Sequence, residues 1–216
     1  MPQVLITENM SVEAKKKKLF RIYKEFAKDA RKYTKNIVCK PGCADCCIDV
    51  GSIDVTTLEG LVILDYLKTL TPPKQTFFQD QIKRNSEEKP RHRRLRCPFL
   101  NERNICSIYK VRPFSCRKLF SVETCGEKGP VIPRALWELG EKTVQKIYQL
   151  DDSGFSGHIS YILMLLYNHK LRKSYLSGEL SPSQLMDVIR KYNLIVNREM
   201  LKKQKILKLG TFRSTP

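Results

Sequence analysis

Residues 39–47 read CKPGCADCC and contain four of the eight cysteines of this 216-residue chain. The pattern is C-x3-C-x2-C-C, and Pro41 followed by Gly42 predicts a turn inside it. A turn of this kind brings neighbouring thiols toward one point, as a soft metal ion or an iron–sulfur cluster requires. Cysteine also packs as a small apolar residue, but four of them on a turn beside charged residues do not fit that use. We interpret the stretch as a metal- or cluster-binding segment.

The adjacent pair Cys46 and Cys47 limits how many thiols this segment supplies to one site. In an extended stretch, neighbouring side chains point to opposite sides. We therefore expect one of the two to face the same ion as Cys39 and Cys43, and the other to belong to a second site or to none. At most three thiols then converge locally, so a fourth ligand is expected from elsewhere in the chain.

A second cysteine-rich stretch, CPFLNERNICSIYKVRPFSCRKLF, follows at residues 97–120. Its best candidate for the missing ligand is Cys116, because Pro113 stiffens its approach and the charges of Arg112 and Arg117 favour a thiolate. Arg112 and Arg117 are accordingly the candidate cofactor-binding residues. The candidate metal ligands are Cys39, Cys43, Cys46, Cys47, Cys97, Cys106 and Cys116. We expect the two sets to converge in space, although a helix and a loop separate them in the sequence.

The order of these motifs resembles a known family. C-x3-C-x2-C-C, then C-P-F-L and C-S-I-Y-K-V-R-P-F-S-C-R, is similar to the CxxCxxCC zinc- or iron-chelating domain, from about Cys39 to Arg117. Arg112, Pro113 and Arg117 fall on the family's R-P-x-x-C-R. Cys125 lies outside the shared pattern and is the weakest ligand candidate. Flagellin lysine N-methylases are larger proteins with a similar domain, so the resemblance implies, by analogy only, methyl transfer from S-adenosylmethionine to a protein lysine.

The spacing of the cysteines bears on which metal is bound. Tetrahedral zinc sites usually consist of two close cysteine pairs, and the second stretch has no such pair. A tight local set with a remote cysteine is typical of iron–sulfur proteins, and no histidine is well placed as a ligand. The layout favours an iron–sulfur cluster, of the 4Fe–4S type, over zinc, but spacing alone does not decide between them.

Composition and charge restrict the class of protein. The hydrophobic fraction of 41% predicts a folded chain. The N-terminal residues do not resemble a secretory signal, and the longest strongly apolar stretch, Tyr161 to Tyr167, is too short to span a membrane. We expect a cytoplasmic protein with reduced thiols. The net charge of +18 favours an anionic partner, nucleic acid or an acidic protein surface, although a solvated basic surface is an equally good interpretation.

Hydrophobic periodicity predicts a mainly α, single-domain protein (residues 1–216) whose helices surround an irregular cysteine-rich centre. A basic amphipathic helix is expected at residues 11–36, the cysteine-rich core at 39–125 and further helices at 133–210. Within the core, Thr56 and Glu59 form a capping box that opens an apolar central helix, which Pro72 and Pro73 end, and a polar helix follows at 74–88. In the last third, one helix is expected from Pro133, a second at 157–176, and a third after a capping box at residues 181–184.

Two functions remain open from the sequence. The first is an enzyme or enzyme component in protein lysine modification, with its metal or iron–sulfur centre beside basic residues. The second is a non-catalytic module in which zinc stabilises the fold and the basic helices bind nucleic acid or an acidic protein.

Overall fold

The computed structural model describes residues 10–40, 42–48, 51–125, 129–180 and 185–201, and these are mainly helical. The α-helices are α1 (Val12–Ala30), α2 (Asp45–Ile48), α3 (Thr57–Lys68), α4 (Pro72–Glu88), α5 (Phe114–Arg117), α6 (Arg134–Leu150), α7 (Ile159–Tyr167), α8 (His169–Leu176) and α9 (Met186–Tyr192). The strands are β1 (Asp54–Thr56), β2 (Phe155–His158) and β3 (Ile195–Val196). The predicted mainly α, single-domain class is confirmed. None of the described helices combines the length and apolar composition that a membrane span requires.

Helix α3 is the central element, as the sequence predicts. The backbone N–H of Glu59 donates to Thr56 Oγ1 (3.2 Å), and Thr56 N–H donates back to Glu59 Oε2 (2.9 Å), so the predicted capping box is present. Most of the helix is buried, because its sequence is apolar on nearly every side.

Two hydrophobic clusters meet at α3. Leu61 and Leu64 belong to a cluster with α4 and α7, whereas Leu58 and Val62 belong to a second cluster with α1 and α6. The second cluster takes the apolar face of α1, whose buried residues are Leu19, Ile22, Tyr23, Phe26 and Ala30. The amphipathic pattern of the N-terminal helix therefore reflects packing on the domain, with its basic residues left outside.

A three-stranded antiparallel sheet joins the cysteine-rich region to the last third of the chain. Asp54 of β1 pairs with His158 of β2, and Phe155 of β2 pairs with Val196 of β3. The sequence analysis did not predict this sheet, since strands this short carry too few residues for an alternating pattern. The predicted helix at 157–176 is wrong in its first residues for this reason.

The helix predicted at residues 157–176 is also interrupted at Asn168. The side chain of Asn168 accepts hydrogen bonds from Lys170 N–H (3.0 Å) and Leu171 N–H (3.2 Å), so it ends α7 and caps α8.

At the end of α3, Pro72 and Pro73 occupy the first positions of α4, where a missing N–H carries no cost. The predicted capping box at 181–184 lies outside the described residues.

Candidate metal centre

Five cysteines from three segments lie at one edge of the core. They are Cys46, Cys47, Cys97, Cys106 and Cys116, and we call them the inner group. Cys97 is 8% exposed and belongs to the α3–α4–α7 cluster. Cys47, Cys106 and Cys116 are partly buried and pack against that cluster. The core therefore fixes the surroundings of these thiols.

The adjacent cysteines lie on the helical turn α2, not in an extended stretch. Successive side chains on a helix are about 100° apart, so the expectation that Cys46 and Cys47 point to opposite sides is wrong. Their thiols are hydrogen-bonded to one another, and this bond, together with burial, raises the pKa of the Cys46 thiol. Both sulfurs therefore face the same region.

Cys97 and Cys106 are held by a tight loop. The N–H of Cys97 donates to Cys47 O (2.8 Å), which attaches this loop to α2. Leu100 and Cys106 then form an antiparallel bridge. The carboxamide oxygen of Asn101 closes the loop by accepting from Arg103 N–H (3.0 Å) and Ile105 N–H (2.9 Å).

Cys116 is positioned from the centre of the fold. It lies on α5, whose first residue, Phe114, donates its N–H to Glu59 Oε1 (2.7 Å). The same carboxylate oxygen accepts from the hydroxyl of Tyr23 (2.6 Å). The Phe114 ring packs edge-on against Phe26 with centroids 4.8 Å apart. Helices α1 and α3 together therefore position Cys116. Glu59 takes part in this through its hydrogen bonds, a role that its place in the capping box did not predict.

The inner thiols interact electrostatically. Burial, together with the charges of Cys106 and Cys46, raises the pKa of Cys97 to about 12. Burial also raises the pKa of Cys116 well above its usual value, with Cys97, Cys106 and Cys46 adding to the effect. Buried thiols whose charges act on one another resist ionisation unless a cation takes up their charge.

The two candidate arginines, Arg112 and Arg117, differ in their hydrogen bonds. Arg117 donates from Nε to Arg112 O (2.8 Å) and from Nη2 to Lys110 O (3.1 Å), and its guanidinium lies over Tyr23 (4.5 Å). The guanidinium of Arg112 lies over the Tyr109 ring (4.1 Å), and its charge acts on Cys106 and Cys116. The Nε atom of Arg112 is buried and has no hydrogen-bond partner among the described residues.

Three further cysteines lie in a separate surface cleft. Cys39, Cys43 and Cys125, which we call the outer group, line a cavity of about 490 Å³ together with Asp45. Burial raises the pKa of Cys125, a hydrogen bond with Ser121 lowers it, and the charges of Asp45, Cys39 and Cys43 raise it again. The sequence grouped Cys39 and Cys43 with the downstream cysteines and set Cys125 apart. No sequence signal links residue 125 to the first motif, since the pairing is made by backbone contacts.

The donor set of the inner group fits a metal centre. Cysteine sulfurs are ligands of zinc and of iron–sulfur clusters, and the unpaired, buried Nε–H of Arg112 is suited to donate to a thiolate or sulfide. Among the described residues, no three Cys, His, Asp or Glu side chains stand at the spacing of a closed single-ion site. The residues that would hold a centre are thus gathered at one edge of the core, without three of them in the arrangement of a single-ion site.

The fold and this thiol-rich centre define a helical, cysteine-rich domain of the metal-binding class. Residues 38–131 match the family model CxxCxxCC, described as "Putative zinc- or iron-chelating domain", so this part of the chain is similar to that family. The family's name has two residues between its first two cysteines, whereas this chain has three between Cys39 and Cys43. No curated protein and no solved structure matches the chain.

Proposed function

We propose that the inner group holds an iron–sulfur cluster of the 4Fe–4S type. The observation that carries the proposal is the gathering of five buried or partly buried thiols beside the unpaired Nε–H of Arg112. Four of them would ligate the cluster: Cys97, Cys106, Cys116 and one of Cys46 and Cys47.

The spacing of the thiols favours a cluster over zinc. Sulfurs bound to one tetrahedral zinc ion lie about 3.8 Å apart, since each Zn–S bond is about 2.3 Å. The inner thiols influence one another's charge, but the described residues contain no three at single-ion spacing. The core packs against their segments, so bringing all of them onto one ion would require the core to rearrange. A multinuclear group takes each thiol at a different iron atom, so it does not require three thiols to converge on one ion.

Arg112 supplies a second argument. A cluster with four thiolates carries net negative charge, and buried charge is tolerated only where it is paired or hydrogen-bonded. The Arg112 guanidinium is held over Tyr109 (4.1 Å) and keeps one buried N–H free of protein partners in the described residues. A hydrogen bond from this atom to a cluster sulfur or a thiolate would satisfy it and tune the reduction potential.

The test is anaerobic purification followed by absorption spectroscopy and by iron, sulfide and zinc analysis. We expect about four iron and about four sulfide per chain, the content of one 4Fe–4S cluster. Cys116→Ser should lose this content, whereas Cys125→Ser, the matched change in the outer group, should keep it. Stoichiometric zinc without sulfide would contradict the proposal.

A cavity beside the inner group suggests how such a centre serves an enzyme. Its volume of about 950 Å³ is within the range of ligand sites, and Cys97 forms part of its wall with Phe77, Arg84 and Arg103. We extend the proposal to an enzyme component in protein lysine modification, with S-adenosylmethionine as methyl donor by analogy. Saturable binding of S-adenosylmethionine, weakened by Arg84→Gln, is the expected result; no binding to cluster-loaded protein would contradict this extension.

The alternative function is recognition of an anionic partner by the basic surface of α1. The exposed basic residues of α1 and the following turn are Lys17, Lys18, Arg21, Lys24, Lys28, Arg31 and Lys32. This row favours nucleic acid or an acidic protein. Tight RNA binding that weakens steeply with salt, and that Lys24→Gln with Lys28→Gln reduces, would support it. In this alternative zinc stabilises the fold, so metal analysis should find zinc without sulfide.

A further inference from the structure

A basic cleft opens between α1 and the C-terminal part of α6, and we call it the α1–α6 cleft. Its volume is about 680 Å³, which is within the range of small-ligand sites. None of the described residues that line it is a cysteine. The cationic side chains in its lining are Lys15, Lys18 and Arg21 from α1, Lys146 from α6, and Arg198, which follows β3.

The carboxylates of the cleft are already paired. Glu25 pairs with Lys146 (3.8 Å), and Asp152 pairs with Arg198 (3.4 Å), so each acid that lines the cleft has its own cation. These two acids therefore do not offset the charge of the cations on α1.

The three cations on α1 have no ion-pair partner among the described residues. Lys15 is partly buried, and its charge acts on the buried carboxylate of Asp151, whereas Lys18 and Arg21 are exposed. Each is three residues from the next, so the three span about 9 Å along the helix, and like charges at this spacing repel one another. An anion bound between α1 and α6 would relieve this repulsion.

From this arrangement we propose that the α1–α6 cleft binds a small organic ligand that carries a di- or triphosphate group. Arg21 offers paired N–H donors that match phosphate oxygens, and the lysines add point charges. Met10 and Leu150 line the same cleft and can contact the organic part of the ligand. The site goes beyond the proposed cluster and does not depend on what the inner group binds.

The α1–α6 cleft differs in shape from the exposed surface of α1 that is the alternative site for RNA. Its cations come from more than one element, so a compact anion inside it can contact α1 and Lys146 of α6 together. Nucleic acid along the exposed face of α1 would instead contact residues such as Lys24 and Lys28, which do not line the cleft. A multiply charged small ligand therefore suits the cleft better than a long nucleic acid does.

The experiment titrates the full chain, purified anaerobically, with inorganic triphosphate and with ATP in separate runs of isothermal titration calorimetry. The salt concentration is about 0.15 M, which screens weak attraction between exposed charges, and no divalent cation is added. We expect both probes to bind saturably and to compete for a single site.

The matched variants each remove two positive charges from exposed positions of α1. Lys18→Gln with Arg21→Gln, inside the cleft, should weaken the binding of both probes at least about tenfold, since one hydrogen bond between charged groups contributes about that factor. Lys24→Gln with Lys28→Gln, outside the cleft, should leave the affinity nearly unchanged.

Two outcomes would overturn this site. The first is no saturable binding of either probe, including the case in which RNA binds and Lys24→Gln with Lys28→Gln weakens it. The second is equal weakening of triphosphate binding by both double variants, which would mean attraction to the overall charge of the chain. Iron and sulfide are measured on the same samples, so a chain that binds triphosphate but contains neither would contradict the cluster proposal alone.

Discussion

The inner and outer cysteine groups differ in what holds them in place. The inner thiols lie on segments that pack against the main hydrophobic cluster, and one of them, Cys116, is positioned by Glu59 of the central helix. The outer thiols lie in a surface cleft, and Cys43 is exposed. Backbone hydrogen bonds around Ser121 join their two segments. The hydrophobic core therefore fixes the positions of the inner cysteines. Local hydrogen bonds fix the positions of the outer cysteines.

This difference predicts how each group responds to change. Damage to the core should disturb the inner centre first, because the segments that carry those thiols pack against the core. The outer thiols should remain as accessible as before until the chain unfolds. Two measurements separate the groups: metal retained by the inner centre, and the alkylation rate of Cys43.

The largest effect is expected for Cys116→Ala. Metal binding contributes on the order of 10 kcal/mol to the folding of small metal domains, so loss of a ligand should lower both metal content and the free energy of unfolding. Denaturant unfolding and metal analysis provide the measurement. Cys43→Ala is the matched control and should leave the iron content and stability of the inner centre nearly unchanged. Equal losses in both variants would show that the groups are not separate.

The second prediction concerns Asp151, which is fully buried and supports the N-terminus of α3. Its carboxylate accepts from Leu58 N–H (2.9 Å) and the Tyr175 hydroxyl (2.6 Å). Burial raises its pKa from 3.8 to about 7. Between these values the native state keeps a proton that the unfolded chain has released, so stability falls as pH rises from about 4 to 7. The full change is about 4 kcal/mol, and it levels off above pH 7.

Asp151→Asn isolates this contribution, because asparagine does not titrate. The difference in unfolding free energy between the unaltered chain and the variant should decrease with rising pH across that window. Metal binding to thiols becomes stronger with pH, but it is common to both proteins and cancels in the difference. A difference that stays constant from pH 4 to 7 would show that Asp151 is ionised throughout. Cys43 alkylation should not distinguish the two proteins under native conditions.

The third prediction tests the link between the core and Cys116. In Glu59→Gln, an NH2 group replaces one of the two carboxylate oxygens. That group then faces either the Thr56 N–H or the donors of Tyr23 and Phe114, and it cannot accept their hydrogen bonds. Loss of hydrogen bonds to a buried charged acceptor costs about 1.5–3 kcal/mol, and the shift of α5 should weaken metal retention.

The control for Glu59→Gln is the same chemical change at Glu141. That carboxylate pairs with Lys118 (2.8 Å) near the surface, so its loss should cost less than about 1 kcal/mol. Metal retention after partial denaturation should fall only in the Glu59 variant. If both variants keep the metal equally well, Glu59 does not position Cys116.

The helical architecture could be predicted from the sequence because it depends on local signals. The apolar stripe of α1 and the Thr56–Glu59 capping box both appear within a few residues of sequence. The grouping of the cysteines could not be predicted in the same way. It depends on α2 being a helical turn and on Val38 meeting Ser121, and such contacts between distant residues leave no periodic pattern. The sheet was missed because its strands have two to four residues.

The smallest effect is expected for Gly60→Ala, which tests how closely the core surrounds α3. A Cβ at this position would lie 2.7 Å from Ile162 Cγ2 and 2.8 Å from Leu166 Cδ1 on α7. Alanine favours a helix over glycine by about 1 kcal/mol, whereas overpacking a core costs about 1–3 kcal/mol. Since Ile162 is β-branched and has little freedom to move, overpacking should prevail, with a net loss of about 1 kcal/mol.

Gly140→Ala in α6 is the matched control for this change. There the nearest atom is Lys118 Cδ at 3.4 Å, on a flexible side chain, so only the helix preference should act and the variant should gain stability. Opposite signs of the two changes in denaturant midpoint would confirm close contact between α3 and α7. The Gly60 variant should also release metal from the inner centre at lower denaturant, with Cys43 alkylation unchanged before unfolding. A stabilised Gly60 variant would contradict this, because it would mean that α7 can move away from α3 without cost to the centre.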